Sequence, residues 1–529
     1  MKQLLKKLVL FSMTAVLSLG AFAGCSKEDE AFVPPKKTPP QELSAPTTNL
    51  AVPVFTTDKN FVIFADVPVN PTVENLEVYK AAGFTHYNMT EDHIRLSILE
   101  NANAYSNLDI EMVTTEDINP AYLSALDNCE QVGLKYLIRN YYADSDYFVN
   151  DNAGERQYDL FNGTYRIPTR NITTELTNQN TSFGGYYMGD EPSWDKISKF
   201  DKLVEWYNTN GNKSDDTFWH LNLLQSYGSY YFRETVKGED GSTTKVNHTY
   251  EEYVDHYCDK VLSKVNGAKT LGTDYYPLLE GGEYAPDYIK DGLVYDYFII
   301  ANKTKEMIAE GHDVRTNFCI QSYETSSIKT DGVRELTSQA DITFQTNLAM
   351  AFGTKSFQYY TYCTYAGREP GILDNTLEPG KMYPWVQTAN SYAQFMAEAI
   401  LNMSWNGAKV YQGQQIKNPT NAEAFKKVSK YELADFALIS SIVARLDTVV
   451  SEFKDANGNK AYMFVNYSEP GLGLSGDVFV NFSSKVNKAV IYQNGEKKVV
   501  DVENNKLKLT LDAGGGAFVY PVYEGGVAE

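Results

Sequence analysis

Between about residues 58 and 405, short apolar, β-branched or aromatic runs alternate with longer stretches whose apolar positions recur at helical spacing. The runs Phe61–Ala65, Phe84–Met89, Lys135–Arg139, Phe183–Met188, Thr217–Leu223, Leu271–Tyr275, Arg315–Gln321 and Ser356–Tyr362 read as strands. Helical patterns cover Val73–Ala82, Pro120–Val132, Ile197–Tyr207, Tyr250–Val265, Tyr295–Glu310, Ser338–Ala351 and Trp385–Met403. Gly83, Gly133, Gly311 and Gly353 follow four of these, where a left-handed residue commonly ends a helix. Eight strands in succession, seven of them followed by a helical pattern, predict an α/β chain folded as a (β/α)8 TIM barrel. An open doubly wound sheet would usually carry a Gly-rich phosphate loop after an early strand, and no such loop is present.

After Gly407 the period changes from helical to two. Ala461–Tyr467, Gly476–Phe482, Lys488–Tyr492, Lys506–Leu511 and Gly516–Tyr520 read as strands, with turn signals at Asn457-Gly458 and Asn494-Gly495. The barrel is therefore expected to be followed by a small C-terminal antiparallel β-sandwich. No 20–50-residue repeat is evident.

The N-terminus reads as an address. Lys2, Lys6 and Lys7 precede the apolar run Leu8–Leu19 and a small-residue exit at Ala21–Gly24. That run is too short for a stable membrane span. Cys25 follows at once, and Ala-Gly-Cys here resembles the bacterial lipobox, with Phe22 where that motif usually has Leu. The resemblance implies lipidation at Cys25 and attachment to a membrane of the cell envelope, at the outer membrane or cell surface. An acidic run, Glu28-Asp29-Glu30, and four prolines from Pro34 to Pro40 then suit an extended tether. The expected division is 1–24 signal, 25–57 lipidated Cys and tether, 58–405 barrel and 406–529 sandwich.

Composition narrows the function. Lys and Arg number 47 against 68 Asp and Glu, a net charge of −21, and an acidic chain repels phosphate backbones, so nucleic acid is not an expected partner. Cys129, Cys258, Cys319 and Cys363 lie far apart within apolar runs, without zinc-ligand spacing, and read as buried thiols. No H-E-x-x-H, G-x-S-x-G or Walker pattern appears, and neither cofactor nor metal is expected. The 39 tyrosines stand out against 26 Phe and 5 Trp. A tyrosine offers an apolar face and a hydroxyl, which suits a sugar ring.

Barrel chemistry collects at C-terminal strand ends. The fourth strand ends Tyr187-Met188-Gly189-Asp190-Glu191-Pro192. Adjacent carboxylates disfavour joint ionisation, so one should hold its proton toward neutral pH, as a general acid must. The same triplet also has the composition of a helix start. The other strand ends supply Asp66; Arg139, Asn140 and Tyr141; His220, Asn222 and Gln225; Asp274, Tyr275 and Tyr276; Gln321 and Tyr323; and Tyr360 and Tyr362. Trp194 and Trp219 are candidate stacking platforms.

Asp190-Glu191-Pro192 resembles the Asn-Glu-Pro of the glycoside hydrolase clan that includes cellulases and β-galactosidases. That likeness implies Glu191 as acid/base and a glutamate nucleophile at the end of strand seven, where Glu324 is the nearest carboxylate and Gln321 a departure. Asp190-Glu191 also resembles the Asp-Glu pair of substrate-assisted N-acetylhexosaminidases, which implies Glu191 as acid, Asp190 orienting the substrate's acetamide, and no protein nucleophile. Either way the expected activity is glycoside hydrolysis on an oligo- or polysaccharide at the bacterial cell surface. Tyr187, Asn222, Asp274, Tyr275, Gln321, Tyr323, Tyr360 and Tyr362 are the expected substrate contacts. The rival expectation is a lipoprotein whose barrel binds glycans without cleaving them.

Overall fold

A computed structural model describes residues 61–90, 115–139, 157–159, 164–166, 181–214, 217–279, 292–324, 335–364, 370–415, 419–483 and 486–523. The signal segment, Cys25 and the tether lie outside the described residues, as do Asn140 and Tyr141.

The eight expected strands are present: β1 (Val62–Ala65), β2 (His86–Thr90), β3 (Lys135–Arg139), β4 (Phe183–Asp190), β5 (Phe218–Leu223), β6 (Lys269–Thr273), β7 (Val314–Gln321) and β8 (Ser356–Tyr360). All pair in parallel in the order β1-β8-β7-β6-β5-β4-β3-β2. The seam between β1 and β2 is bridged by Thr85, whose N–H donates to Ile63 O at 2.9 Å while its Oγ1 accepts from Ile63 N at 2.8 Å. The result is a nearly closed barrel.

Strand periodicity sorts the side chains. Val62, Phe64, Leu137, Tyr187 and Phe218 form a cluster separate from the main core, which takes Ile63 and Ala65. Helices α1 (Val73–Ala81), α2 (Thr115–Val132), α3 (Asp201–Asn210), α4 (Tyr250–Lys260), α5 (Leu293–Ala309), α6 (Gln339–Ala351) and α7 (Tyr383–Ile400) follow seven of the strands. Most of the chain between β3 and β4 lies outside the described residues. The start of α4 is set by a reciprocal cap: Glu252 N–H donates to Thr249 Oγ1, and Thr249 N–H donates to the Glu252 carboxylate.

Two of the unexpected features lie outside the strand pattern of the barrel and the sandwich. A hairpin, Arg233–Lys237 with Thr243–Asn247, rises between β5 and α4. A helix, α8 (Pro419–Val428), precedes most of the sandwich.

The sandwich comprises β9 (Ser404–Tyr411), β10 (Ile439–Ala444), β11 (Thr448–Lys454), β12 (Lys460–Asn466), β13 (Gly476–Phe482), β14 (Val486–Gln493), β15 (Glu496–Asp501), β16 (Lys506–Leu511) and β17 (Gly516–Tyr523). Six strands run β9-β11-β12-β17-β14-β15, and three run β10-β13-β16. Asn494 and Gly495, with φ of 51° and 74°, make the expected two-residue turn between β14 and β15.

Burial explains why strands of one sandwich read so differently. In β12, Ala461, Met463 and Val465 join the barrel-side core, while Tyr462 and Phe464 join the core between the two sheets. Both faces of this strand are covered, so its sequence is an unbroken apolar run. β16 has one face in water and alternates Lys506, Leu507, Lys508, Leu509. The barrel helix α6 is nearly all buried because the six-stranded sheet covers its outer side. There Phe344 meets Tyr467, with ring centroids 5.8 Å apart, and Asn347 Nδ2 donates to Gly514 O at 3.0 Å. Cys129, Cys258, Cys319 and Cys363 are free and buried.

Candidate active site

The barrel floor is a polar network strung between strands. On β8, Ser356, Gln358 and Tyr360 alternate with the outward Phe357 and Tyr359, and Gln358 lies at the centre. Its Nε2 donates to Asp66 Oδ2 at 2.5 Å and to Tyr187 Oη at 3.0 Å. Its Oε1 must then accept, which assigns the proton to His220 Nε2, 2.9 Å away. His220 Nδ1 is left to accept from Thr270 Oγ1 at 2.7 Å. Asn88 Nδ2 completes the layer by donating to Asp66 Oδ1 at 2.7 Å.

Above this floor, the register between β4 and β5 slips. Tyr187 lies opposite His220, but Asp190 lies opposite Asn222, so three steps on β4 span two on β5. Such a bulge re-aims the residues that follow it. It brings two donors onto one oxygen: Tyr187 Oη and Asn222 Nδ2 both reach Asp190 Oδ1, at 3.0 and 3.1 Å. Glu191 then turns out of the strand with a φ of 45°, held by its N–H donating to Asn222 O at 2.9 Å. A non-glycine residue in that region is strained, and such strain concentrates at functional sites. Tyr253 of α4 fixes the next step by donating to Pro192 O at 2.6 Å. The cap of the following helical turn is Ser193, so neither Asp190 nor Glu191 serves as a helix cap.

The Glu191 side chain is exposed at the rim, and it hydrogen-bonds the carboxyl of Asp274 from the end of β6. Asp274 is 3% exposed. Burial, and then the charge of Glu191, push its carboxyl well above the usual range. Two carboxyls in contact cannot both ionise freely, which favours keeping a proton on the pair. Tyr276 Oη adds a long bond, 3.4 Å, to Asp274 Oδ2. The rings of Tyr276, Tyr323 and Tyr360 lie 5.4 to 5.7 Å apart and make an aromatic wall beside the acids.

Several expected site residues serve other ends. Tyr362 is a core residue, packed on Tyr79 and Phe84 with centroids 4.8 and 5.6 Å away. Gln321 is buried with its amide spent on the backbone of Leu278, accepting from N at 2.8 Å and donating to O at 3.1 Å. Glu324 is ion-paired to Lys381 Nζ at 2.6 Å and accepts from Leu336 N at 3.0 Å. Trp219 is in the core, with Nε1 donating to Tyr257 Oη. Trp194 has both ring faces covered, by His248 at 3.7 Å and His256 at 3.9 Å, and so offers no sugar platform. Tyr187 belongs to the floor and Tyr275 is nearly buried, its ring edge-on to Tyr227 at 5.3 Å. Gln358 and Asn88 were missed by sequence reasoning, although the period-two alternation of β8 places Gln358 on the inner face.

A second buried acid lies below the rim. Asp296 of α5 accepts the Ser226 N–H at 2.8 Å and so ties down the segment after β5. Burial pushes its carboxyl up to about 7, against the opposing effects of the Ser226 hydrogen bonds and Lys427. An acid raised on folding favours the protonated native state, so its contribution to stability falls as pH climbs from about 4, near the free-chain value, toward that raised value. Asp296→Asn is expected to flatten this part of the pH dependence. Unfolding temperatures from about pH 4.5 to 8 check it, and an unchanged slope would refute the assignment.

No protein-family model matches the chain, and no curated protein does. Among solved structures it is similar to one described as a glycoside hydrolase, with 10% identity over 88% of this chain and 93% of the other and a TM-score of 0.48. It is also similar to α-galactosidase I from Mortierella vinacea, with 9% identity over 89% and 98% of the two chains and a TM-score of 0.41. An α-amylase from Lactobacillus plantarum aligns at 11% identity over 87% and 98%, with a TM-score of 0.40.

Proposed function

We propose that this chain is a glycoside hydrolase whose acid is the Glu191–Asp274 pair. The supporting observation is the hydrogen-bonded carboxyl pair at the rim, one member exposed and strained, the other buried behind it. Glu191 would give the proton it shares with Asp274 to the glycosidic oxygen as the C–O bond breaks, the neighbouring carboxyl having kept that proton on the pair toward neutral pH. The two carboxyls are too close to flank a sugar as an acid and its nucleophile or base, which stand about 5–5.5 Å or 6.5–9.5 Å apart. They act as one unit. Asp190, oriented by Tyr187 and Asn222, faces the developing positive charge at the anomeric carbon or positions a substrate acetamide. The ion pair of Glu324 with Lys381 favours these roles for Asp190 over a nucleophilic Glu324. The test is hydrolysis of a panel of aryl glycosides, N-acetylhexosaminides included, and of polysaccharides by the purified chain. Cleavage of none would refute the enzymatic reading and leave the glycan-binding one, which the occupied Glu324 also suits.

We also propose that the protein is anchored in the cell envelope through lipid on Cys25. Cys25→Ala is expected to move the protein from the membrane fraction to the soluble one and to abolish labelling by radioactive palmitate. Labelling that persists in the variant would exclude this cysteine.

A further inference from the structure

Among the described residues, large exposed apolar side chains are few, and they are not scattered. Of the nine large ones exposed among the described residues, five fall between Tyr227 and Val246. Tyr227, Tyr230 and Tyr231 are 39%, 67% and 50% exposed, and they sit on one short 3-10 segment, Ser226–Tyr231, immediately after β5. Isolated exposed aromatics need no explanation, but a contiguous group beside a site does.

The segment is held firmly. Asp296 accepts the N–H of Ser226 at its start. The hairpin that follows is bolted to the turn after Pro192: Thr235 N–H donates to Asp195 Oδ1 at 2.8 Å, Lys245 Nζ lies 3.4 Å from Asp195 Oδ2, and Trp194 is clasped between His248 and His256. A tyrosine group ordered this way has already lost the conformational freedom that ligand binding would otherwise cost.

It is also continuous with the acids. Tyr227 touches Tyr275, the residue next to Asp274, and the charges of Asp274 and Glu191 reach its hydroxyl. Tyr230 and Tyr231 extend the surface outward, with centroids 5.4 Å apart, and the Arg233 guanidinium lies 4.7 Å over the Tyr230 ring. The hairpin itself is electrically balanced, with Arg233, Lys237 and Lys245 against Glu234, Glu239 and Asp240. It has no net charge with which to select a charged polymer.

We infer that Tyr227, Tyr230 and Tyr231 form an outer subsite that stacks the pyranose rings of a neutral polysaccharide, so that the substrate is a chain extending beyond the sugar at Glu191. This rests on the glycosidase reading and adds the substrate's class and direction. Sugar C–H faces lie on the rings, and the phenol hydroxyls meet the sugar hydroxyls.

The test is affinity electrophoresis of the mature chain through gels containing xyloglucan, galactomannan, mixed-linkage β-glucan or starch. At least one polymer is expected to retard the wild type. The double variant Tyr230→Ala/Tyr231→Ala should lose at least tenfold in apparent affinity, and Tyr230→Trp should keep it. Leu472→Ala, exposed on the far sandwich, should be retarded like the wild type. Where a polymer is cleaved, the ratio of kcat/KM on it to that on an aryl glycoside should fall at least tenfold in the double variant. No retardation of the wild type by any of the four, or equal retardation of the double variant, would overturn the inference. Retardation of wild type and Glu191→Gln alike, with hydrolysis by neither, would refute the glycosidase and leave the subsite as a binding surface.

Discussion

Glu191→Gln is expected to reduce kcat on unactivated glycosides by roughly 10²- to 10⁴-fold, the usual share of a general acid. The loss should depend on the leaving group. A sugar or alkyl alcohol cannot depart without a proton, whereas a nitrophenolate nearly can, so the nitrophenyl glycoside should suffer least. The alkaline fall of the pH–rate profile, which reports the acid's loss of its proton, should disappear with the side chain. Asp274→Asn is the companion variant. It keeps a donor beside Glu191 but removes the group with which Glu191 shares its proton, so the alkaline limb should move to lower pH as the carboxylate form of Glu191 becomes easier to reach. Equal losses on both leaving groups, or an alkaline limb that survives in Glu191→Gln, would remove Glu191 from the acid's role.

A large stability effect is expected at Gly185, in the strand that carries the acids. Its φ is +139°, and a Cβ there would stand 2.3 Å from the backbone oxygen of Phe218 on β5. That oxygen belongs to a barrel ladder and cannot step aside. Gly185→Ala should therefore cost the strained backbone and the overpacking together, about 3 kcal/mol or more. Gly311 separates the two effects: its φ is +94°, but nothing lies within 4 Å of the added atom. Gly311→Ala should cost only about 1 kcal/mol. Chemical denaturation followed by circular dichroism measures both. A Gly185 variant no less stable than the Gly311 variant would mean that β4 and β5 can part to admit a methyl group.

Local signals made much of this fold legible. Short apolar, β-branched or aromatic runs alternating with helical patterns gave all eight barrel strands, and Asn494-Gly495 marked its turn because both residues must take positive φ. β9 and β11 were harder to see. Trp405 and Lys409 face a helix end and solvent, while Ser451 and Glu452 are buried polar groups, so neither strand alternates cleanly. At the site, adjacency in sequence exposed Asp190 and Glu191. The partnership of Glu191 with Asp274 joins residues 83 positions apart, and no local pattern encodes it. Tyr362 fails for a related reason: a tyrosine at a strand end looks the same in sequence whether its ring turns to the rim or, as here, to Tyr79. The bulge between Tyr187 and Asp190 could not be foreseen from β4 alone, since it exists only relative to β5.

The six-stranded sheet has a consequence for the order in which this protein can become itself. Its last strand in the chain, β17, is not an edge but lies between β12 and β14. Phe518 on β17 belongs to the same core as the barrel helices. A nascent chain that has completed all eight barrel strands still presents a wet apolar flank at α6, since the sheet that covers it comes later in the sequence. The six-stranded sheet cannot close between β12 and β14 until residues 516–523 take their place there.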